Sequence, residues 1–390
     1  MSFGIYLDHN ATTPLRCEAA VAMRAAMEML GNPSSVHRHG RNARRLIEDA
    51  RATIAGSVGA EPADVVFTSG GTESNALALC ASGRRRLVVT AIEHASVLSA
   101  GDSPVIVPVD DDGIVDLVAL DAILAESTEP AVVSVMLANN ETGAVQPVAA
   151  VGDIAHRYGA LFHCDAAQAA GKIAIDMRVM GIDLLSWSAH KLGGPAGIGA
   201  LAIAPGIPVA AMLRGGGQER GRRAGSENLI GIVGFAAATE TAAGSQDDAR
   251  LAGLREAIER RIRGVCPSSR VFAQGVPRLP NTTCLTMPGV PAETQVIAFD
   301  LAGISVSAGA ACASGKVGAS HVLRAMGVGE DLARSALRVS TGWTTVADDV
   351  DRFCQVWTSI YAQVSRRESV SAGSAATAAL DWDRVGKVTE

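Results

Sequence analysis

The sequence predicts an α/β fold, with a large domain of short buried strands alternating with helices, followed by a smaller α+β domain. Three observations carry this. Six apolar runs of four to six residues, at 65–68, 87–91, 132–137, 160–164, 184–188 and 199–204, are separated by turn signals and helical stretches; this is the pattern of parallel strands covered on both faces. The chain has 390 residues, enough for two domains of ordinary size. Around 243–248 the composition turns small and polar before a new amphipathic helix begins.

The elements follow in order. Ala43, Leu46, Ile47, Ala50 and Ile54 recur at helical spacing, predicting an amphipathic helix with arginines on its outer face. The six strands come next, with the candidate motifs at their ends, where parallel sheets hold ligands. Beyond 248, Leu251, Leu254, Ile258 and Ile262 share one helix face, 283–287 alternates, and Val350, Phe353, Trp357, Ile360 and Val364 mark a final helix. The expected division is an N-terminal segment 1–15 packing with the small domain, a large domain 16–248 and a small domain 249–366. The small domain contains a loop at 305–320, and the Ser/Ala/Gly-rich tail 367–390 has the composition of a mobile segment. There is no internal repeat.

Hydrophobic residues make up 48% and aromatics 4%, so the core is built from Ala, Val, Leu and Ile. A net charge of −6 and short arginine clusters (Arg84–Arg86; Arg220, Arg222, Arg223) without interleaved aromatics give no nucleic-acid surface. The start of the chain lacks the basic and apolar regions of a signal peptide, and the longest apolar stretch, 229–238, is too short and glycine-broken to span a bilayer. Seven scattered cysteines without paired spacing suit a reducing compartment, so a cytoplasmic protein is expected.

Of 34 basic residues only four are lysines: Lys172, Lys191, Lys316 and Lys387. Lys191 ends Ser188-Ala189-His190-Lys191 after the apolar run 182–187 and before Gly193-Gly194-Pro195. A lysine closing a buried strand beside a glycine turn is where enzymes of pyridoxal 5'-phosphate (PLP) hold the cofactor as an imine. Lys172, after Gly171 at an apparent helix end, suits the helix dipole instead. The run 65–68 leads into Ser69-Gly70-Gly71-Thr72-Glu73-Ser74-Asn75 and a helix start, an arrangement that offers backbone N–H groups to a phosphate and is equally compatible with a plain tight turn. Asp165 closes another buried strand and needs a cation, either a protonated pyridine nitrogen or an arginine. His94, in Ile92-Glu93-His94-Ala95-Ser96, sits where an imidazole could lie over a planar cofactor or cap a helix. His37 and His39 lack further ligand spacing, so no metal is assigned. Cys312 stands apart from the apolar cysteines, in Ser307-Ala308-Gly309-Ala310-Ala311-Cys312-Ala313-Ser314-Gly315, where no large side chain is available to bury it; this suits an exposed nucleophilic thiol and is equally compatible with an unreactive one.

Taken together these strings resemble the PLP-dependent cysteine desulfurases of the class V aminotransferase family, in the NifS/IscS-like branch that supplies sulfur for iron–sulfur clusters and nitrogenase assembly. The resemblance runs from Tyr6-Leu7-Asp8-His9-Asn10-Ala11-Thr12-Thr13-Pro14 to about Phe353. It includes Gly31-Asn32-Pro33-Ser34-Ser35, Asn139-Asn140-Glu141-Thr142-Gly143 and Gly215-Gly216-Gly217-Gln218-Glu219-Arg220. It implies the PLP-dependent transferase fold type I, with a mainly parallel seven-stranded sheet. It further implies that Lys191 binds PLP covalently, Asp165 pairs with the ring nitrogen and His94 stacks on the ring. Gln168 and Asn140 would reach the ring oxygen, and Gly71, Thr72, Ser188 and His190 the phosphate. Ser226 would contact the phosphate of the second subunit in a homodimer, Arg338 would hold the carboxylate of L-cysteine, and Cys312 would accept the sulfur as a persulfide and pass it to an acceptor such as an iron–sulfur scaffold.

Two departures stand out: serine at 226 where many relatives carry threonine, and Trp343 where several carry arginine. A selenocysteine lyase, a small-amino-acid aminotransferase and a non-catalytic sulfur-relay subunit remain as alternatives.

Overall fold

The computed structural model describes residues 4–243, 247–309 and 319–363. Cys312, Lys316, Lys387, Val364 and the tail after Arg367 lie outside them. The chain opens with β1 (Ile5–Tyr6), α1 (Cys17–Met27) and α2 (Arg38–Gly56). Strands and helices then alternate: β2 (Val65–Thr68), α3 (Gly71–Ala81), β3 (Arg86–Thr90), α4 (Ala95–Leu98), β4 (Val105–Val107), α5 (Leu117–Ala125), β5 (Ala131–Ser134), α6 (Val148–Arg157) and β6 (Leu161–Asp165). After β7 (Leu184–Ser188) and β8 (Gly199–Ile203), α7 (Leu229–Ala243) closes this half. The second half contains α8 (Asp247–Val265), β9 (Thr282–Thr286), α9 (Ala292–Leu301), β10 (Ile304–Ser305), β11 (Ser307–Ala308), α10 (His321–Ala325), α11 (Glu330–Arg334) and β12 (Ala336–Ser340), then a helix over 347–363.

Seven strands form one sheet in the order β2-β8-β7-β6-β5-β3-β4. All pairs from β7 to β4 are parallel, whereas β8 runs antiparallel to both β7 and β2. The mainly parallel seven-stranded sheet that the resemblance implies is present, and among the six runs read as parallel strands the one at 199–204 is corrected to an antiparallel strand. Residues 189–198 contain no crossover helix, and a short connection can only return the chain antiparallel. The strand β4 had no signal of its own: three residues at the sheet edge, with Ile106 exposed, make no buried run. The run 132–137 is a strand only to Ser134, and its remainder bends towards the site.

The helix α2 buries Ala43, Ile47, Ala50 and Ile54 as its period predicts. One of its arginines is not on the outer face. Arg51 is buried and forms a two-point ion pair with Glu219, at 2.7 and 2.9 Å, while also donating to the Val65 carbonyl at 2.9 Å. Its guanidinium lies 4.6 Å from the centre of the Phe67 ring. Glu219, in a left-handed conformation at φ 45°, accepts in addition from the Phe67 amide at 2.9 Å. This buried pair ties β2 to the glycine-rich segment 215–221.

The largest core packs the sheet against α2, α5, α6 and α7 through residues such as Ile54, Val133, Phe162, Trp187 and Phe235. A second core joins Leu7 to Ile258, Leu285, Phe299, Val339, Phe353 and Trp357. Pairing of β1 with β10, Ile5 opposite Ile304 and Tyr6 opposite Ser305, carries the N-terminal segment onto this second unit. We propose on these grounds that the chain divides at 243–248, with residues 1–15 packed on the C-terminal part.

Candidate active site

The carboxyl ends of the parallel strands converge on a cavity of about 320 Å³. Gly71, Thr72, His94, Asn140, Asp165, Gln168, Ser188, His190, Lys191 and Arg338 all line it, and so do Asn10, Asn75 and Ser96. Sequence residues hundreds of positions apart are thus brought together, because most follow strands of the seven-stranded sheet, while Asn10 follows β1 and Arg338 lies on β12 beside it.

Gly71 and Thr72 open α3 directly after β2, so the first-turn amides, which have no partner inside the helix, face the cavity end. Glu73 reaches back across the turn to accept from the Ser69 amide at 2.7 Å and pairs with Arg223 at 3.0 Å. Gly70 holds φ +156°, and a Cβ on Gly71 would meet only the Ser188 Cβ, at 3.7 Å. This leaves a shallow cradle of backbone and small side chains.

Asp165 ends β6 and is 7% exposed. Its oxygens accept from the Asn75 amide at 2.7 Å and the Ala167 backbone at 2.8 Å. Among the described residues no arginine forms an ion pair with it, and its carboxylate faces the cavity that Lys191 and His94 also line. Of the two sequence readings, a salt bridge to an arginine is therefore corrected, and a cationic group inside the cavity is the partner that fits. A ring with a protonated nitrogen and a phosphate tail suits this donor and acceptor set: a carboxylate at one side, helix amides at another, and an amine between.

That amine is Lys191. It follows β7 on a single 3-10 turn, and its Nζ donates to the Asn10 and Ala11 carbonyls, the latter at 2.9 Å. His94 does both things the sequence allowed: its Nδ1 caps α4, accepting from the Ser96 amide at 3.1 Å, and its ring lines the cavity. His190 sits beside Lys191, where burial and that charge lower its pKa to about 4, and its Nδ1 lies 3.2 Å from the Thr12 hydroxyl.

Arg338, on β12, closes the far side. It is 2% exposed, donates to Asp8 at 2.8 Å and to the Asn140 carbonyl at 3.1 Å, and leaves its Nε with no hydrogen-bond partner. Asp8 in turn accepts from the Ser307 hydroxyl at 2.8 Å. Ser307 is directly opposite Arg338 in the β11–β12 pairing, two residues before the last described residue of that segment.

Ser226 is not in the cavity of its own chain. It lines a separate surface cavity with Arg223 and Glu227. Cys312 lies outside the described residues.

Sequence reasoning missed Asn10 and misread Lys172. Asn10 is 1% exposed; its side chain donates to the Asn140 carbonyl and to Thr282, and accepts from Lys172 and Asn281. Its own carbonyl accepts from Lys191 and Gln168. The one sequence signal was its place in the N-terminal string 6–14. Lys172 does not end a helix, since residues 167–172 form consecutive turns, and its amine points inward to Gln168. Trp343 gains an account: Arg16 stacks over its indole at 4.2 Å and His9 meets it edge-on at 5.6 Å.

The comparisons with known proteins agree with this architecture. The family model for aminotransferase class-V matches residues 5–353. A cysteine desulfurase of Cereibacter sphaeroides is 44% identical over 90% of this chain and 94% of its own length. An IscS-like cysteine desulfurase of Mycobacterium tuberculosis H37Rv is 38% identical over 95% of this chain and 99% of its own. Among solved structures, a NifS-like protein of Rickettsia africae superposes with a TM-score of 0.86 at 36% identity, covering 92% of this chain and 99% of that one. A structure described as SspA in complex with cysteine gives a TM-score of 0.76 at 30% identity, covering 88% and 100%.

The fold and the strand-end cavity thus define an enzyme of the class-V aminotransferase family. Within that family, the chain belongs to the cysteine desulfurases.

Proposed function

We propose that the protein desulfurates L-cysteine with pyridoxal 5'-phosphate, passes the sulfur to Cys312 as a persulfide and releases L-alanine. The observation that carries this reading is one cavity lined by the buried Asp165, Lys191, the first turn of α3 and Arg338. When bound, the cofactor draws electrons from the substrate's Cα and so weakens the bond to its sulfur.

The chain's own residues would do the rest. Lys191 Nζ would hold the cofactor covalently at rest and move a proton at the substrate Cα during turnover. Asp165 would stabilise the protonated ring nitrogen, His94 would lie on the ring, and Gln168 and Asn140 would orient its oxygen. Gly71, Thr72, Ser188 and His190 would bind the phosphate. The buried Arg338 would take the substrate carboxylate as a fork, its unpartnered Nε supplying one N–H. The Cys312 thiolate would attack the substrate sulfur; the S–S bond forms as the C–S bond breaks, and the electron pair left on carbon takes a proton to give alanine. The terminal sulfur then goes to an acceptor thiol, for which an iron–sulfur scaffold protein in the cytoplasm is the proposed class.

A homodimer is supported by two features. Ser226 lies outside its own cavity, and Val21, Met27, Leu30 and Val36 are exposed apolar side chains on the single chain. A second copy would cover such surface and could bring Ser226 to a phosphate.

The test measures alanine and sulfide from L-cysteine with a reductant present, for the parent and for Cys312→Ser. Equimolar products from the parent and none from the variant are expected. Equal turnover by both would remove Cys312 from the reaction and favour another chemistry of the same fold.

A further inference from the structure

Glu141 follows Asn140, which lines the main cavity, and is itself 3% exposed. The turn that presents it is held from within: Asn139 Oδ1 accepts from the Glu141 amide at 2.9 Å and from the Thr142 amide at 3.0 Å. The Glu141 carboxylate accepts from the Ser320 hydroxyl at 2.5 Å. Ser320 is buried as well and caps α10, accepting from the Leu323 amide at 3.1 Å. A Cβ on Gly309 would stand 3.3 Å from Glu141 Oε2 and 3.6 Å from the Ser320 Cβ. Gly309 and Ser320 flank the segment 310–318, which carries Cys312 in the sequence. The two flanks of that segment therefore meet at one buried carboxylate.

We propose that Glu141 is a positioning residue for sulfur transfer: it clamps Gly309 and Ser320, the two feet of the Cys312 segment, against the cavity wall formed by Asn140 and Arg338. The inference rests on the reading of Cys312 as the sulfur acceptor and deepens it.

Further contacts fasten the same feet to the same wall. Ser307, two residues before Gly309, donates to one oxygen of Asp8, and Arg338 donates to the other, both at 2.8 Å. Arg338 also donates to the Asn140 carbonyl at 3.1 Å, one peptide from Glu141. His321 Nε2 lies 3.0 Å from the Glu93 carbonyl, next to His94. Chain geometry gives these anchors their effect. Cys312 is three residues from Gly309, and three extended residues span at most about 10 Å, so the position of the foot limits what the thiol can reach. A misplacement of about 1 Å can cost a reaction about 100-fold in rate. A carboxylate that merely stabilised the fold would leave the rates of the folded enzyme alone; a clamp changes one step of the reaction.

The test uses the holoenzyme in single turnovers with L-cysteine. The cofactor's absorbance follows substrate binding, and trapping with an alkylating agent follows the Cys312 persulfide. In Glu141→Ala and in Ser320→Ala the persulfide is expected to form at least about tenfold more slowly, with half-saturation by L-cysteine within about threefold of the parent. Glu141→Gln, which keeps an acceptor oxygen for Ser320, should recover most of the rate. The double variant should be no slower than the slower single one, since both remove the same bond. Persulfide formation within about twofold of the parent in both single variants overturns the proposal, and the Ser320→Ala rate decides alone should Glu141→Ala not fold. A loss confined to substrate binding overturns it too, because Glu141 would then act on Arg338 and not on the segment. If Cys312→Ser released alanine as fast as the parent, the underlying reading of the thiol would fail instead, an outcome separate from these rates.

Discussion

Glu219→Gln tests whether the buried ion pair behind the β2–α3 turn carries stability. The substitution keeps the side chain's shape and removes its charge, leaving Arg51, with 3% of its side chain exposed, without its two-point partner. Removing one member of a buried pair costs about 3–5 kcal/mol, because the other charge stays desolvated. Here the lower end applies. Arg51 retains the Val65 carbonyl, the Phe67 ring and a longer contact of 3.3 Å to Glu48, whose side chain is 34% exposed. A loss of about 3 kcal/mol corresponds to a fall in Tm of roughly 6–12 °C for a domain of this size. Scanning calorimetry of the parent and variant measures it, and Arg51→Met combined with Glu219→Gln should recover part of the loss, since the stranded charge is gone. The variant should also hold pyridoxal phosphate less tightly, because Glu219 accepts from the Phe67 amide one residue before β2 ends. A Tm within about 2 °C of the parent would refute the argument that the pair is a structural strut.

Three further outcomes are expected. Glu93, fully buried beside His94, has its pKa raised to about 8 by burial, so the folded state binds a proton that the unfolded chain releases above about pH 4.3; its contribution to stability should fall between about pH 4.3 and 8 and level off above that, and urea titrations of Glu93→Gln should lack that slope. Asn10→Ala removes one hydrogen bond from each of Lys172, Asn281 and Thr282, while each keeps another partner, and at about 0.5–1.5 kcal/mol for each bond lost it should lower stability by about 2–4 kcal/mol, read as a shifted urea midpoint. Gly342→Ala places a Cβ 2.0 Å from the His9 ring, so the ring must move; the variant should be about 1–3 kcal/mol less stable by denaturant titration, and an unchanged midpoint would show that His9 is loosely held.

Legibility in the sequence followed the range of the interactions. Lys191, Asp165, His94 and the Gly71–Thr72 turn were readable because each ends a buried run, and a parallel sheet delivers such ends to one edge. Arg51 was not, since helix period places it beside the apolar face without saying that a carboxylate 168 positions later would draw it inside. Lys172 failed for the same reason. A glycine before a cation suggests a helix terminus locally, while its partner Asn10 is 162 residues away. The β4 edge strand was too short to leave a periodic signal, and the antiparallel β8 looked like its neighbours because all its residues are buried.

Asn10 joins partners 130 to 272 positions away, and its backbone amide donates to the hydroxyl of Ser340, 330 residues on. During synthesis, therefore, a nascent chain whose sheet is already complete still lacks a finished pocket until β12 has left the ribosome. The opening residues bond to both halves, Thr13 to the His190 carbonyl and Asn10 to Ser340 and Thr282, so their set of partners is complete only with the strands made last. A chain stopped after α7 carries Lys191 and Asp165 but neither Arg338 nor the Asn281, Thr282 and Ser340 partners of Asn10.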